Sequence, residues 1–279
     1  VDLLQKGAQD FLLKGELEGT HLARALRFAV ERKKAGDYLE VIAKMRELDQ
    51  TRSDFVSAVT HELRTPLVSL KGYTAMLQKN MDQLSSLEVQ KMLGVIASNS
   101  ARLERLVNQV LTVAKIEKGR LTLLREGVDL VQLAESSARV MEGQSRKHQF
   151  KVKRRGRDHQ TLCDPFQIEQ VFLNLLSNAV KYWPEGGEIQ ILVEDLEGKV
   201  GVSVLDEGLG IPKAEQERIF QKFERIEDKS RQGIEGAGLG LYLAKEVIGL
   251  HGGEIHLKSK VGEGTQMTFT LPKAGGTRR

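Results

Sequence analysis

The chain has 279 residues, 40% of them apolar and 29% charged, with a formal net charge of +4 and an isoelectric point near 9.0. That length suffices for two compact units with separate cores, and so small a surplus of Lys and Arg argues against a dedicated nucleic-acid binder. The most basic stretch, Arg146 to Arg157, alternates around Phe150 and Val152 as a solvated strand edge does, with no groove-reading motif beside it. A single cysteine, Cys163, rules out an internal disulfide and fits a reducing compartment. No apolar run reaches bilayer-spanning length and no signal-peptide pattern opens the sequence, so the expectation is a soluble, cytoplasmic chain without a membrane span.

In chain order, Phe11-Leu12-Leu13 reads as a short strand, Lys14-Gly15 as a turn, and a helix is predicted from about Thr20. From Ala35 to about Asn80 a heptad register is nearly continuous. Ile42 and Met45 lie on its seam, Asp49 and Arg52 interrupt it, and Val56, Val59, Leu63, Pro66, Leu70, Tyr73 and Leu77 resume it. Polar seam residues weaken such a helix locally, which reads first as a structural irregularity and second as a soft spot through which upstream twisting could reach His61. Counted from Val56, His61 takes the sixth heptad position, on the solvent side, which disfavours a packed core histidine. Pro66 has no amide for the carbonyl of Glu62, so a bend is expected one turn after His61.

Asn80 to Ser86 reads as a polar connector. Leu87 to about Lys118 reads as a second helix with Met92, Ile96, Leu103, Leu106, Val110 and Val113 on one face. A hairpin of two such helices leaves its stripe wet unless two chains pair into a four-helix bundle. Beyond Gly119 short strands alternate with helices, an α/β sandwich. Strands are predicted near Leu121 to Arg125, Phe150 to Arg154, Glu188 to Glu194, Lys199 to Leu205, Glu254 to Ser259 and Thr265 to Leu271, and helices near Leu130 to Lys147, Pro165 to Tyr182 and Leu239 to His251. The fold class is α + α/β.

Within the second part, the helix from Asp164 to Tyr182 carries Asn174, Asn178, Lys181 and Tyr182 at spacings of four, three and one. Asparagine amides on a buried helix face are costly unless satisfied, which favours a ligand. A strand ending at Leu205 runs into Asp206-Glu207-Gly208-Leu209-Gly210-Ile211. Later, Gly236-Ala237-Gly238-Leu239-Gly240-Leu241 opens a helix, where exposed amides and the positive helix end make a phosphate cradle. A Rossmann reading of these glycines fails on their late position and spacing.

The stretch His61-Glu62-Leu63-Arg64-Thr65-Pro66 resembles the H box of sensor histidine kinases of two-component systems. The asparagine helix resembles the N box of the Bergerat-type (GHKL) ATPases, the fold shared with gyrase and MutL. The two glycine runs resemble that family's glycine boxes, and Phe220-Gln221-Lys222-Phe223-Glu224-Arg225 with the polar stretch to Glu235 resembles its F box and mobile lid. Gly262-Glu263-Gly264-Thr265 also fits the family, as a turn closing the last strands behind the nucleotide.

The resemblance implies ATP as phosphoryl donor, held by Asn174, Asn178, Lys181, Tyr182, Asp206, Gly208, Gly210, Arg225, Gly236, Gly238, Gly240 and Leu241. Asn174 and Asn178 would hold Mg²⁺, Tyr182 would stack on adenine, and Arg225 would reach the outer phosphates. Asp206 can accept from the adenine amino group, a contact guanine does not offer. Trp183 departs from the small residue usual in the family and is expected beside the pocket. His61 would be the phosphoacceptor, Glu62 its base, and Thr65 the orienter of a water in receiver dephosphorylation.

A homodimer with a response-regulator receiver domain as partner follows from the same resemblance. Residues 1–34 resemble the last strand and helix of a receiver domain, Lys14 matching its phosphate-contacting lysine. The acidic cluster and aspartate would lie upstream, so a truncated remnant is expected. Residues 35–120 are then the signalling helix with the dimerisation and phosphotransfer domain, 121–273 the catalytic ATP-binding domain, and 274–279 a tail. The rival readings are a gyrase- or chaperone-like ATPase, which needs no H box, and a non-catalytic dimeric scaffold, in which some boxes should be lost.

Overall fold

The computed structural model describes residues 19–224, 226 and 236–274. The strand expected at Phe11–Leu13, Lys14, Arg225 and the stretch 227–235 lie outside them. The chain divides into two compact units, Val1–Ser57 and Ala58–Arg279.

The described part of the first unit is helix, belonging to α1 (Gly19–Asn80), which runs unbroken across the expected boundary at residue 34. Its apolar side chains are in water: Tyr38 is 68% exposed, Met45 65% and Ile42 43%.

In the second unit, α1 reaches Asn80, a short 3₁₀ turn at Met81–Gln83 follows, and α2 (Ser86–Glu117) returns antiparallel. The sequence dictates the start of α2: the Ser85 hydroxyl accepts from the amide of Glu88, and the Glu88 carboxylate accepts from the amide of Ser85 at 2.9 Å, a closed capping box. Every seam residue from Val59 to Leu77 is buried or half-buried, as are Met92, Ile96, Leu103, Leu106, Val110 and Val113 opposite. Two polar links cross the hairpin, Asn99 donating to the Ser69 hydroxyl at 3.3 Å and Arg102 to Glu62 at 3.0 Å. Val56, placed on the seam from sequence, is exposed. The helix is continuous through Pro66.

The remainder is a sheet layer covered by helices. Its elements are β1 (Glu126–Asp129), α3 (Leu130–Glu142), β2 (His148–Arg155), β3 (Gln160–Cys163), α4 (Pro165–Lys181), β4 (Gly187–Leu196), β5 (Lys199–Asp206), α5 (Gly240–Leu250), β6 (Glu254–Lys260) and β7 (Gly264–Pro272). The main sheet has the order β2-β4-β5-β7-β6, with only β2 and β4 parallel. Alternate residues Ile189, Ile191 and Val193 of β4, Val200, Val202 and Val204 of β5, and Phe269 and Leu271 of β7 point to one core. There they meet Ile168, Phe172, Leu175 and Leu176 of α4 and Val247 and Ile248 of α5. Phe172 packs edge-on against Phe269, centroids 5.5 Å apart, and burial of each such ring is worth about 1.5–3 kcal/mol.

Three sequence expectations shift. The strand expected at Leu121–Arg125 lies at Glu126–Asp129, because its partner is β3, in antiparallel register from Glu126 opposite Cys163. That strand was missed, being only four residues long. The helix expected to reach Lys147 stops at Glu142, where Gly143 caps it, leaving His148 free to begin β2.

Candidate active site

Two helix starts and one strand end build the site. Asp164 caps α4 through the amide of Gln167 at 3.1 Å, and Pro165 supplies the fixed φ that opens a helix. The carboxylate of Asp164 also accepts from the amide of Leu124 at 2.9 Å, while its own amide donates to Nε2 of His251 at 2.9 Å. His251 closes α5 and donates from Nδ1 to the Val247 carbonyl at 2.7 Å. This buried, neutral histidine ties the end of α5 to the start of α4, and burial holds its pKa below the ordinary 6.5. The tie fixes how the asparagine face of α4 meets the glycine run before α5. Sequence reasoning missed it, because nothing in a lone histidine at a helix end distinguishes a latch from a surface cap.

Along α4, Asn174 donates to the carbonyl of Gly240 at 3.4 Å, and a Cβ on Gly240 would stand 3.3 Å from Oδ1 of Asn174. Lys181 extends beside Gly236, its Nζ 3.8 Å from where a Cβ of that glycine would be. Gly238 has φ +66° and lies against the backbone of Phe223, whose amide donates to the Gly238 carbonyl at 3.0 Å; a side chain there would collide. Phe223 itself has φ 66°, a left-handed conformation costing about 1–2 kcal/mol, which ties the F-box residues to the second glycine run.

At the end of β5 the Asp206 carboxylate accepts from the amide of Gly208 at 3.0 Å. Burial pushes its pKa up to about 6, against the lowering effect of the amides of Gly208 and Thr265. The Tyr182 carbonyl accepts from the amide of Leu209 at 3.0 Å, and a Cβ on Gly208 would come within 2.4 Å of that carbonyl, so the first glycine run is pinned to the end of α4.

A cavity of about 770 Å³ lies between these parts, lined by Asn174, Asn178, Lys181, Tyr182, Asp206, Gly210, Gly236, Gly238, Gly240 and Leu241. Gly208 is off its wall and acts by holding Asp206; Arg225 is outside the described residues. Trp183 does not line it. That ring lies over Gly187 and edge-on to His148, centroids 5.9 Å apart, so the placement beside the pocket expected from sequence is corrected. Among the described residues there is no cluster of three or more His, Cys, Asp or Glu side chains able to hold a metal.

Another part of the wall comes from the hairpin: Glu62, Arg102, Arg105, Leu106 and Gln109. Gln109 donates to Oδ1 of Asn174 at 3.4 Å. Beside it Leu106 and Val113 pack with Ala237, Leu239 and Leu243, and Lys222 pairs with Glu117 while lying over the Tyr242 ring. Sequence reasoning missed this wall, although Arg102, Arg105 and Gln109 form a polar row beside the apolar stripe of α2. His61 is exposed and is not on the cavity wall. Glu62 is 7% exposed and paired with Arg102, and the Thr65 hydroxyl donates to the His61 carbonyl at 3.3 Å.

An exposed histidine on a hairpin helix, beside an α/β domain with an asparagine helix and two glycine runs around one cavity, defines a phosphoacceptor module joined to an ATPase module. Comparison with known families agrees. Residues 51–119 match the His Kinase A (phospho-acceptor) domain, and residues 163–275 match the histidine kinase-, DNA gyrase B- and HSP90-like ATPase domain. The chain belongs to the sensor histidine kinases of two-component systems.

Sensor histidine kinase WalK of Bacillus subtilis (strain 168) is 36% identical over 234 residues, 83% of this chain and 38% of that protein. Sensor protein SrrB of Staphylococcus aureus (strain N315) is 32% identical over 234 residues, 81% of this chain and 39% of that protein. The chain thus spans under two fifths of these relatives. Among solved structures, histidine kinase ThkA in complex with response regulator protein TrrA is 28% identical with a TM-score of 0.59, over 85% of this chain and 66% of that one. No helix among the described residues is long and apolar enough to cross a membrane.

Proposed function

We propose that the chain is an ATP-dependent protein-histidine kinase that phosphorylates itself on His61 and passes the phosphoryl group to an aspartate of a response regulator. The observation that carries this is the pairing, within one compact unit, of an exposed His61 on a seam-buried helix with a cavity that collects Asn174, Asn178, Lys181 and Asp206. Asp206 accepts the adenine amino group, Tyr182 stacks on the base, and Lys181 and the amides of Gly236 to Gly240 face the phosphates.

One ring nitrogen of His61 attacks the γ-phosphorus, the bond from that phosphorus to the bridging oxygen of ADP breaks, and ADP leaves. The proton on the other ring nitrogen passes to Glu62. Glu62 is paired with Arg102 at 3.0 Å, and a proton taken up there weakens that pair. Because His61 is off the cavity wall, transfer requires an ATPase domain to move to it. The donor set fits Mg²⁺: the amide oxygens of Asn174 and Asn178 are hard ligands on the same wall as the phosphate cradle, and this cation keeps several waters and shares its shell with phosphates. Its chemistry there is charge neutralisation on the polyphosphate.

The partner is a receiver domain, a reading supported by the response regulator bound to ThkA. A homodimer is the working unit, and sedimentation of the purified chain at twice the monomer mass checks it. The central experiment is incubation with γ-labelled ATP and Mg²⁺. Wild-type chain should acquire an acid-labile, alkali-stable label, and His61→Gln should lose it completely while still binding nucleotide. Persistent label on His61→Gln would end the assignment.

A further inference from the structure

We propose that Arg105 of the hairpin is a phosphate-binding residue of the nucleotide cavity, recognising the outermost phosphate of a nucleoside triphosphate while the ATPase domain lies against α2. This rests on the nucleotide reading above. Arg102, Arg105 and Gln109 sit at i, i+3 and i+7 of α2, on one face, and all three line the cavity. Gln109 fixes how close that face comes to the phosphate end, since its amide reaches Oδ1 of Asn174 at 3.4 Å and Asn174 in turn meets the Gly240 carbonyl. Arg102 is committed to Glu62 at 3.0 Å. Arg105 falls between these two anchors, one turn before Gln109.

The direction of the ligand follows from the ends of the cavity. Asp206 holds the base at one end, and Lys181 with the glycine run leads the phosphates toward the hairpin wall. Among the described residues that line the cavity, the Lys and Arg side chains are Lys181, Arg102 and Arg105. Lys181 offers a point charge, whereas a guanidinium fork matches two phosphate oxygens at once and stays charged at any physiological pH. Once the γ-phosphoryl group has left, ADP no longer reaches that fork, so Arg105 separates triphosphate from diphosphate.

Calorimetric titration of the full chain with a non-hydrolysable ATP analogue, ADP and adenosine, all with Mg²⁺, tests this. Arg105→Ala should weaken the analogue about tenfold, change ADP less than about twofold and leave adenosine unchanged, and Arg105→Lys should fall between it and the wild type. Unchanged analogue affinity in Arg105→Ala, or equal loss for all three ligands, would overturn the proposal alone. Failure of the wild-type chain to bind the analogue would overturn the nucleotide reading and this inference together.

Discussion

The hairpin and the ATPase domain solve the problem of burial in opposite ways. The ATPase domain encloses its own core: Phe172, Ile189, Ile191, Val200, Phe269 and Leu271 are all fully buried without help from another chain. The hairpin fully encloses almost nothing apolar. Only Leu106 and Val113 of α2 are buried, and both are covered by residues near α5, while Leu67, Val68, Met76, Leu87, Leu93 and Leu111 remain in water. Apolar side chains on the outside of a two-helix element are what a four-helix bundle would cover. The difference separates a domain that encloses its own core from a hairpin that leaves much of its apolar surface in water.

The sharpest break between the two regions should come at Asp206. Asp206→Ala removes the acceptor for the base without touching the hairpin, and nucleotide affinity should fall about 10- to 100-fold, the cost of leaving a buried polar ligand group unmatched. Circular dichroism should stay unchanged. The pH dependence carries a sign that checks the same residue. With the folded pKa raised from 3.8 to about 6, the empty site favours the protonated acid, so this group's contribution to stability is full below 3.8 and is lost as pH rises through 6. The amino group of adenine prefers the carboxylate, so nucleotide affinity should drop as pH falls below about 6, and Asp206→Asn should lose that dependence. A pH-independent affinity in the wild type would remove Asp206 from the base contact.

The sequence was legible wherever a period or a fixed spacing carries the chemistry. The seam from Val59 to Leu77 and the off-seam His61 are periodic, and the residues Asn174 to Tyr182 and Gly236 to Leu241 are short-range patterns on single elements. What was illegible comes from tertiary pairing. β3 exists because β1 lies beside it, the ring of Trp183 turns to Gly187 because β4 passes there, and Glu62 faces Arg102 because α2 returns antiparallel. Ile42, Met45 and Val56, expected on the heptad seam, are exposed.

A separate effect on stability, confined to the ATPase domain, is expected at His251. Its folded pKa lies below the ordinary 6.5, so the stability it contributes is fully present above pH 6.5 and is lost as pH falls toward the folded value. His251→Ala removes the bonds to Val247 and to the amide of Asp164, and should cost about 1–3 kcal/mol of that domain's stability near neutrality. Thermal melts from pH 7.5 to 5 should show the wild type losing stability toward acid more steeply than the variant. If the two curves run parallel, the latch does not titrate. Helix content of the hairpin should not respond, which keeps the two regions apart in the measurement.

The smallest effect is expected at Thr65, one helical turn after His61 on the hairpin. Its hydroxyl donates to the His61 carbonyl at 3.3 Å, which on its own is a local back-bond of the kind helices tolerate. A hydroxyl has one proton to give and two lone pairs with which to accept, so this bond uses its donor and orients the lone pairs outward. A water held by those lone pairs presents its own oxygen to a phospho-aspartate docked over His61, in the position needed for in-line attack. We propose on this ground that the chain also dephosphorylates its partner receiver with the help of Thr65. Thr65→Ala should slow receiver dephosphorylation about tenfold and change the rate of His61 labelling less than twofold. Thr65→Ser keeps the donor and both lone pairs and should restore most of the rate. An equal loss of both activities in Thr65→Ala would mean that the back-bond serves the helix alone, and the hydroxyl would then have no part in handling water.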